Sequence, residues 1–383
     1  MKKILFVIDN WFGDLGGKKK ATLQLINNLD DFEIVLLTLD TKVSKDKVEN
    51  FYKDLKENIK IYPFFITHNL LLLPKVFFKF GFLLKKIKPD LAISVGGGTR
   101  SNAFFSLISK IFLPKIPVVI ITHGNLEKFL RKQNFILRYI IKLIYQKVEK
   151  NISVSQGVME SLKKNFNLKD NKCTFIYNGF DLDSIERKSN EVVNHPWFNE
   201  NIPVILSVAR LNPIQKDFIT LLKSFAIVRS KIFSRLVIVG EGPQREELEK
   251  LAKELKIEHD VLFLGFQQNP YKYMAKSSVF VLSSKFEGLP NVLIEAMACG
   301  VPIISSDCDF GPREILKNGK YGILVPVGDE KKMAEAIIEL LKNEDLRKAL
   351  IVASKERVKE FSIEKSVKSY KNLFLALTHK NRY

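Results

Sequence analysis

A chain of 383 residues is longer than one hydrophobic core usually supports, so two domains are the expectation. Apolar and charged fractions of 46% and 27% are those of a globular protein, and Cys173, Cys299 and Cys308, scattered without Cys-x-x-Cys spacing, argue against a disulfide scaffold and a zinc site. The net charge of +19 is lopsided: residues 60 to 150 hold 16 basic and 3 acidic side chains, which points to an anionic partner, whether nucleic acid, a phospholipid surface or a phosphorylated substrate.

Along the chain, Lys2-Lys3 precede an apolar run at 4–8 that is shorter than the about 7–15 residues of a secretory core. Lysines interrupt every later apolar stretch before it reaches the ~20 residues of a membrane span, so the expected location is cytoplasmic. Short runs rich in Val and Ile at 4–8, 34–38, 91–95, 118–122, 151–154 and 174–177 alternate with helical patterns, the mark of strands buried on both faces of a parallel sheet.

Residues 74–88 read as a helix with Val76, Phe77, Phe80, Leu83, Leu84 and Ile87 on one face. Lys75, Lys79, Lys85 and Lys86 fall on the other, with Phe78 and Phe82 among them. Aromatics set in a basic face suit a headgroup layer, and the segment 128–150 repeats the mix with Phe129, Phe135, Tyr139 and Ile144. An anionic membrane surface is therefore an expected partner, with these six helix residues facing it.

A polar stretch with Pro196 and Pro203 marks a linker at 191–203, which divides an N-terminal domain, 1–190, from a C-terminal one, 204–362. The α/β rhythm restarts at 204–208, 235–239, 261–264, 279–282 and 302–305, and the last residues, 363–383, read as a helix packing back on the first domain. Two doubly wound sheets in tandem would face each other across a cleft, with ligands at the carboxyl ends of their strands.

The run from Phe280 to Gly300 holds Glu287 and Gly288 in a loop, Pro290 at a helix start and Glu295 about one turn inside the helix. Free N–H groups at such a start favour an anion, and a diphosphate fits. Arg210 and Lys216 follow the strand at 204–208, on the side where phosphates bind, and could neutralise a leaving diphosphate without a metal. The two Asp-x-Asp patterns, Asp181 with Asp183 and Asp307 with Asp309, read as turn or capping residues.

Arg210 with Lys216, Gly240-Glu-Gly-Pro243, Leu264-Gly265-Phe266, Glu287 through Glu295, and Gly311-Pro-Arg-Glu-Ile-Leu316 together resemble the retaining glycosyltransferases of family 4, over essentially the whole chain. The resemblance implies the GT-B fold: α/β, two Rossmann-like doubly wound parallel-sheet domains. It implies that Arg210 and Lys216 hold the donor diphosphate and that backbone near Gly288, Leu289, Asn291 and Val292 completes the cradle. Glu295 would take the ribose, Glu287 the transferred sugar, and Gly265, Phe266 and Gln267 would lie by the nucleobase. Gly16 and Gly17 match the family's glycine-rich loop, and His123 its histidine at the transferred sugar. The chain departs from the family in reading Lys18-Lys19-Lys20 after those glycines, either a sign of a more anionic acceptor or a solvated loop.

The function expected on this resemblance is retaining, metal-independent transfer of a hexose or N-acetylhexosamine, with no cofactor. The donor would be a nucleotide-diphosphate sugar, most readily a UDP-sugar, and the acceptor a lipid-linked or polysaccharide glycan in bacterial surface-glycan biosynthesis. The alternatives are another GT-B enzyme, such as a sugar-nucleotide epimerase, and a basic nucleic-acid-binding protein, for which no base-stacking fold is visible.

Overall fold

The computed structural model describes residues 1–9, 17–40, 55–65, 73–95, 99–124 and 134–379. They form two compact units, Met1–Phe180 with Ile363–Tyr383, and Asp181–Ser362.

In the first unit, β1 (Lys2–Asp9), β2 (Phe32–Asp40), β3 (Lys60–Phe65), β4 (Leu91–Val95), β5 (Val118–Thr122), β6 (Lys150–Ser153) and β7 (Cys173–Phe175) make one sheet in the order β3-β2-β1-β4-β5-β6-β7. Every pairing is parallel. The helices α1 (Gly17–Asn27), α2 (Leu73–Ile87), α3 (Thr99–Phe112), α4 (Phe135–Lys147) and α5 (Gln156–Phe166) cover it. Side chains of a strand alternate between faces. Ile4, Phe6 and Ile8 accordingly pack with Leu25 and Ile26 of α1, while Leu5 and Val7 pack with Phe80 and Leu84 of α2 and Phe105 of α3. Ile141 and Tyr145 of α4 extend that second layer with Ala103 of α3 and Leu162 of α5.

The second unit runs α6 (Leu182–Ser189), β8 (Val204–Val208), α7 (Phe218–Arg229), β9 (Arg235–Val239), α8 (Arg245–Glu254), β10 (Val261–Gly265), α9 (Tyr271–Ala275), β11 (Val279–Leu282), α10 (Asn291–Ala298), β12 (Ile303–Ser306), α11 (Gly311–Ile315), β13 (Ile323–Val325), α12 (Glu330–Lys342) and α13 (Glu344–Val358). Its sheet order is β10-β9-β8-β11-β12-β13, again parallel throughout. In each sheet the winding reverses once, between β1 and β4 and between β8 and β11.

The linker expected at 191–203 is not where the chain crosses. The division falls after Phe180, and α6 already belongs to the second unit, where Asn269 Nδ2 donates to Lys188 O at 2.8 Å. Residues read as linker carry apolar anchors: Val193 is buried, Trp197 lies under the Arg235 guanidinium at 4.7 Å, and Phe198 meets Tyr273 at 5.4 Å. After α13 the chain returns as α14 (Ile363–His379) to the first unit, where Ile363 N–H donates to Phe180 O at 2.9 Å. Val367, Tyr370 and Phe374 close the core over Phe6 and Phe32.

Candidate active site

The loops that leave β8 and β11, neighbours at the reversal of the second sheet, are joined by backbone. Lys216 and Ser284 form an antiparallel bridge, Asp217 N–H donates to Ser283 O at 3.0 Å, and Lys285 N–H donates to Gln215 O at 2.8 Å. This zipper lays the Lys216 ammonium against Glu287 in an ion pair whose side chains are 12% and 6% exposed. Ser284 Oγ donates to Glu287 Oε1 at 2.8 Å and Gln215 Nε2 to Oε2 at 3.0 Å, so both carboxylate oxygens are fixed. The Lys216 ammonium also reaches Ser284 Oγ at 3.4 Å, which leaves one of its three N–H directions for an anionic oxygen among the described residues.

Glu287 opens the turn into α10. Pro290 stands at the cap position and makes no side-chain cap hydrogen bond, so the positive end of the helix dipole lies at this turn. The turn is held from outside by Gly311, where a Cβ would lie 2.3 Å from Pro290 Cδ and 2.8 Å from Gly288 O. Gly288, Leu289 and Pro290 are buried, while Asn291 and Val292 are half-buried. Glu295, in the second turn of α10, is buried and accepts from Tyr271 Oη at 3.1 Å.

Arg210 lies two residues beyond β8 and is exposed. Its backbone is set by Gly240, in the left-handed region at φ +142°, where a Cβ would stand 1.9 Å from Ala209 O. Gly240 N–H in turn donates to Gly265 O at 2.8 Å, which joins the ends of β9 and β10. Beyond Gly265 the Phe266 ring is exposed, and Gln267 is tied by Tyr273 Oη donating to its Oε1 (3.2 Å) and its own Nε2 donating to Leu264 O (3.2 Å). Cys308 is buried close to Glu287. Burial, reinforced by that carboxylate, pushes its thiol up to about 12, so it stays neutral.

His123 follows β5 in the first unit. Burial of the imidazole, with the Lys18 ammonium adding to it, brings its pKa down to about 3, so the ring is neutral at physiological pH. Gly17 begins α1, and Lys18 to Lys20 form its first turn with Lys19 buried, so the run is helix and not a solvated loop. Gly16, Lys128 and Phe129 lie outside the described residues. On α2, Phe78 and Phe82 are 55% and 64% exposed and Lys75, Lys79, Lys85 and Lys86 are exposed around them. Ile144 of α4, expected among the exposed cations, is instead in the core. Asp181 caps α6 by accepting from Ser184 N–H at 2.8 Å, whereas Asp307 does not cap but pairs with Arg313.

Three side chains of the site escaped sequence reasoning: Gln215, Ser284 and Tyr271. Gln215 and Ser284 had a signal in adjacency, beside Lys216 and three residues before Glu287. Tyr271 had none, since it meets Glu295 only through the fold.

A parallel sheet built twice, with a cation, a carboxylate and an uncapped helix start gathered at the reversal of the second, is the build of the GT-B glycosyltransferases. The chain belongs to that class and, within it, to glycosyltransferase family 4. The pattern described as Glycosyltransferase Family 4 matches residues 15–184, and that described as Glycosyl transferases group 1 matches residues 188–357. An N-acetylgalactosamine-N,N'-diacetylbacillosaminyl-diphospho-undecaprenol 4-alpha-N-acetylgalactosaminyltransferase of Campylobacter jejuni is 35% identical over 74% of this chain and 78% of its own length. An uncharacterized glycosyltransferase of Methanocaldococcus jannaschii is 30% identical over 93% of this chain and 98% of its own. In fold, the chain is similar to Anabaena HepE in complex with UDP, with a TM-score of 0.80 at 19% identity, covering 98% of this chain and 100% of that one. The protein is a glycosyltransferase.

Proposed function

We propose that this glycosyltransferase moves a hexose or N-acetylhexosamine from a UDP-sugar, with retention and without a metal, to a lipid-linked glycan in surface-glycan biosynthesis. The observation that carries the reading is the Lys216–Glu287 pair at the sheet reversal, beside the uncapped start of α10. Lys216 and Arg210 neutralise the diphosphate while backbone from Gly288 to Val292 holds its oxygens. Charge that a metal would otherwise neutralise is met by these cations and the helix dipole. Glu287, fixed by Ser284 and Gln215, presents its carboxylate to hydroxyls of the transferred sugar, and Glu295 to those of the ribose. The exposed Phe266 ring gives the nucleobase an apolar surface next to Gly265 and Gln267. In the first unit Gly16, Gly17 and His123 serve the transferred sugar, His123 as a neutral ring. The Campylobacter relative, named for an undecaprenol-diphosphate glycan, and the UDP complex of the Anabaena neighbour support this choice of acceptor and nucleotide.

The proposed location is peripheral, on the inner face of the cytoplasmic membrane, where a lipid-linked acceptor and a soluble nucleotide-sugar meet. The basic face of α2 supports it, and among the described residues no helix is long and apolar enough to cross a membrane.

The test is UDP release by the purified chain from a panel of UDP-sugars, with and without an undecaprenyl-diphosphate-linked glycan and with and without EDTA. Acceptor-dependent release that persists in EDTA, with an α-configured product by NMR from an α-linked donor, supports the proposal. Release that needs no acceptor, or that EDTA abolishes and Mg²⁺ restores, overturns the corresponding part.

A further inference from the structure

Among the described residues of the first unit, every exposed large apolar side chain except Met1 and Leu375 stands on α2, α3 or α4. These helices are neighbours, α2 packing on α3 and α3 on α4. The densest part is α4. At about 100° per residue, Phe135, Ile136, Tyr139, Ile140 and Leu143 share one continuous stripe. Ile141, Ile144 and Tyr145 occupy the opposite side, in the core. Exposure along the stripe runs from 81% at Phe135 to 37% at Leu143, so it points outward along its whole length. A globular protein seldom leaves a continuous apolar stripe on its surface without a partner for it.

The charge around the stripe selects the partner. Helices α2, α3 and α4 together carry nine basic residues and no acidic one. A second copy of the chain meeting this face would bring like charge against like charge, whereas an anionic bilayer offers opposite charge at its surface and hydrocarbon beneath. Leu107 and Ile111 of α3 and Phe78 and Phe82 of α2 are exposed as well, and the Phe112 ring of α3 meets the Phe78 and Phe82 rings at 6.3 and 6.4 Å. Gly81 lets the Phe112 ring of α3 lie against α2, since a Cβ there would be 2.3 Å from it, which packs these two helices closely.

We infer that α4 is a membrane wedge: its outer stripe inserts below the headgroups of an anionic bilayer while Lys75, Lys79, Lys85 and Lys86 of α2 lie on the headgroup phosphates. The inference rests on the peripheral location proposed above and adds the element that inserts. A stripe from Phe135 to Leu143 is about 12 Å long, and a helix lying in the interface buries its apolar face by roughly 5–10 Å.

The experiment uses the full chain and vesicles of phosphatidylglycerol and phosphatidylcholine in equal parts. Ile136→Glu combined with Ile140→Glu is expected to lower co-flotation by about tenfold or more. Stabilisation by UDP in a thermal-shift assay should be unchanged, which separates this inference from the donor-site reading. A nitrobenzoxadiazole probe on Ile140→Cys, in a Cys299→Ser background, should shift to the blue and be quenched by acyl-brominated lipid, while the same probe on Val352→Cys stays aqueous. Wild-type flotation of the double variant, or an aqueous probe at position 140 on floated protein, overturns the wedge. So does a concentration-dependent dimer that the two glutamates dissolve, because the stripe would then belong to a second copy.

Discussion

Lys216 and Glu287 sit where neither is well solvated, so each is tolerated because of the other. Removing one partner of such a pair strands a buried charge, at a cost of about 3–5 kcal/mol, whereas replacing both by apolar groups is often close to neutral. Lys216→Met is therefore expected to destabilise the second unit more than Lys216→Met combined with Glu287→Leu. Both variants should lose transfer, because the proposed chemistry needs both charges. Urea unfolding of the single and double variants measures the coupling, and additive costs would show that the pair is not a unit. His123 gives a separate, pH-dependent signature. Its pKa is lowered to about 3 by burial and then Lys18, against an ordinary value of 6.5, so in the intervening range the unfolded chain binds a proton that the native state does not. That contribution to stability is present above about 6.5 and falls away as pH drops toward 3, by up to about 1.4 kcal/mol per pH unit. Unfolding midpoints at pH 7.5, 5.5 and 4.5 should show a shallower acid loss for His123→Asn than for the native chain. The same slope in both would show that this imidazole is solvated.

At the scale of elements, two contacts fix α10 at the proposed phosphate cradle: Gly311 against the turn at its start and Tyr271 against Glu295 in its second turn. Tyr271→Phe removes one hydrogen bond to a buried carboxylate and is expected to cost about 1–3 kcal/mol and to raise KM for the donor with a smaller change in kcat. Gly311→Ala forces the Gly288–Pro290 turn to move and should weaken UDP binding in a thermal-shift titration, even though Gly311 is nowhere assigned to the ligand. Unchanged UDP binding in that variant would mean that the turn does not form the phosphate cradle. Strands buried on both faces were the plainest in the sequence, although the half-buried edge strands β7 and β10 were legible as well. Ile4 to Ile8 and Val118 to Thr122 read as unbroken apolar runs because helices cover both sides of the sheet. The two strands that were missed lie at the sheet edges: β3 carries Pro63 and the exposed Lys60, and β13 spans three residues. Likewise Glu287, Glu295, Arg210 and Lys216 could be picked from their spacing. Their supports, Tyr271 above all, come from tertiary packing that leaves no local pattern.

At the scale of the whole molecule, the two units differ in how the chain supplies them. Asp181–Ser362 is continuous in sequence, but the first unit needs α14, whose Phe374 is fully buried against Phe6 and Phe32. A fragment ending at Phe180 would expose Phe6, Phe32, Ile34 and Ile93 on the face that α14 covers, so it is expected to aggregate, whereas residues 181–362 alone should fold and bind UDP. In the intact chain, Phe374→Ala opens a cavity in the first core at a cost of about 3–5 kcal/mol and touches nothing in the second. Calorimetry should then show one transition moved to lower temperature and a second unmoved, with added UDP raising the second directly. If Phe374→Ala lowered both transitions equally, the units would unfold as one cooperative body, and loss of the C-terminal helix would disable donor binding as well as the N-terminal core. Independent transitions, with UDP raising only the second, would instead place donor binding in the continuous unit, as the role proposed for Lys216 and Glu287 requires.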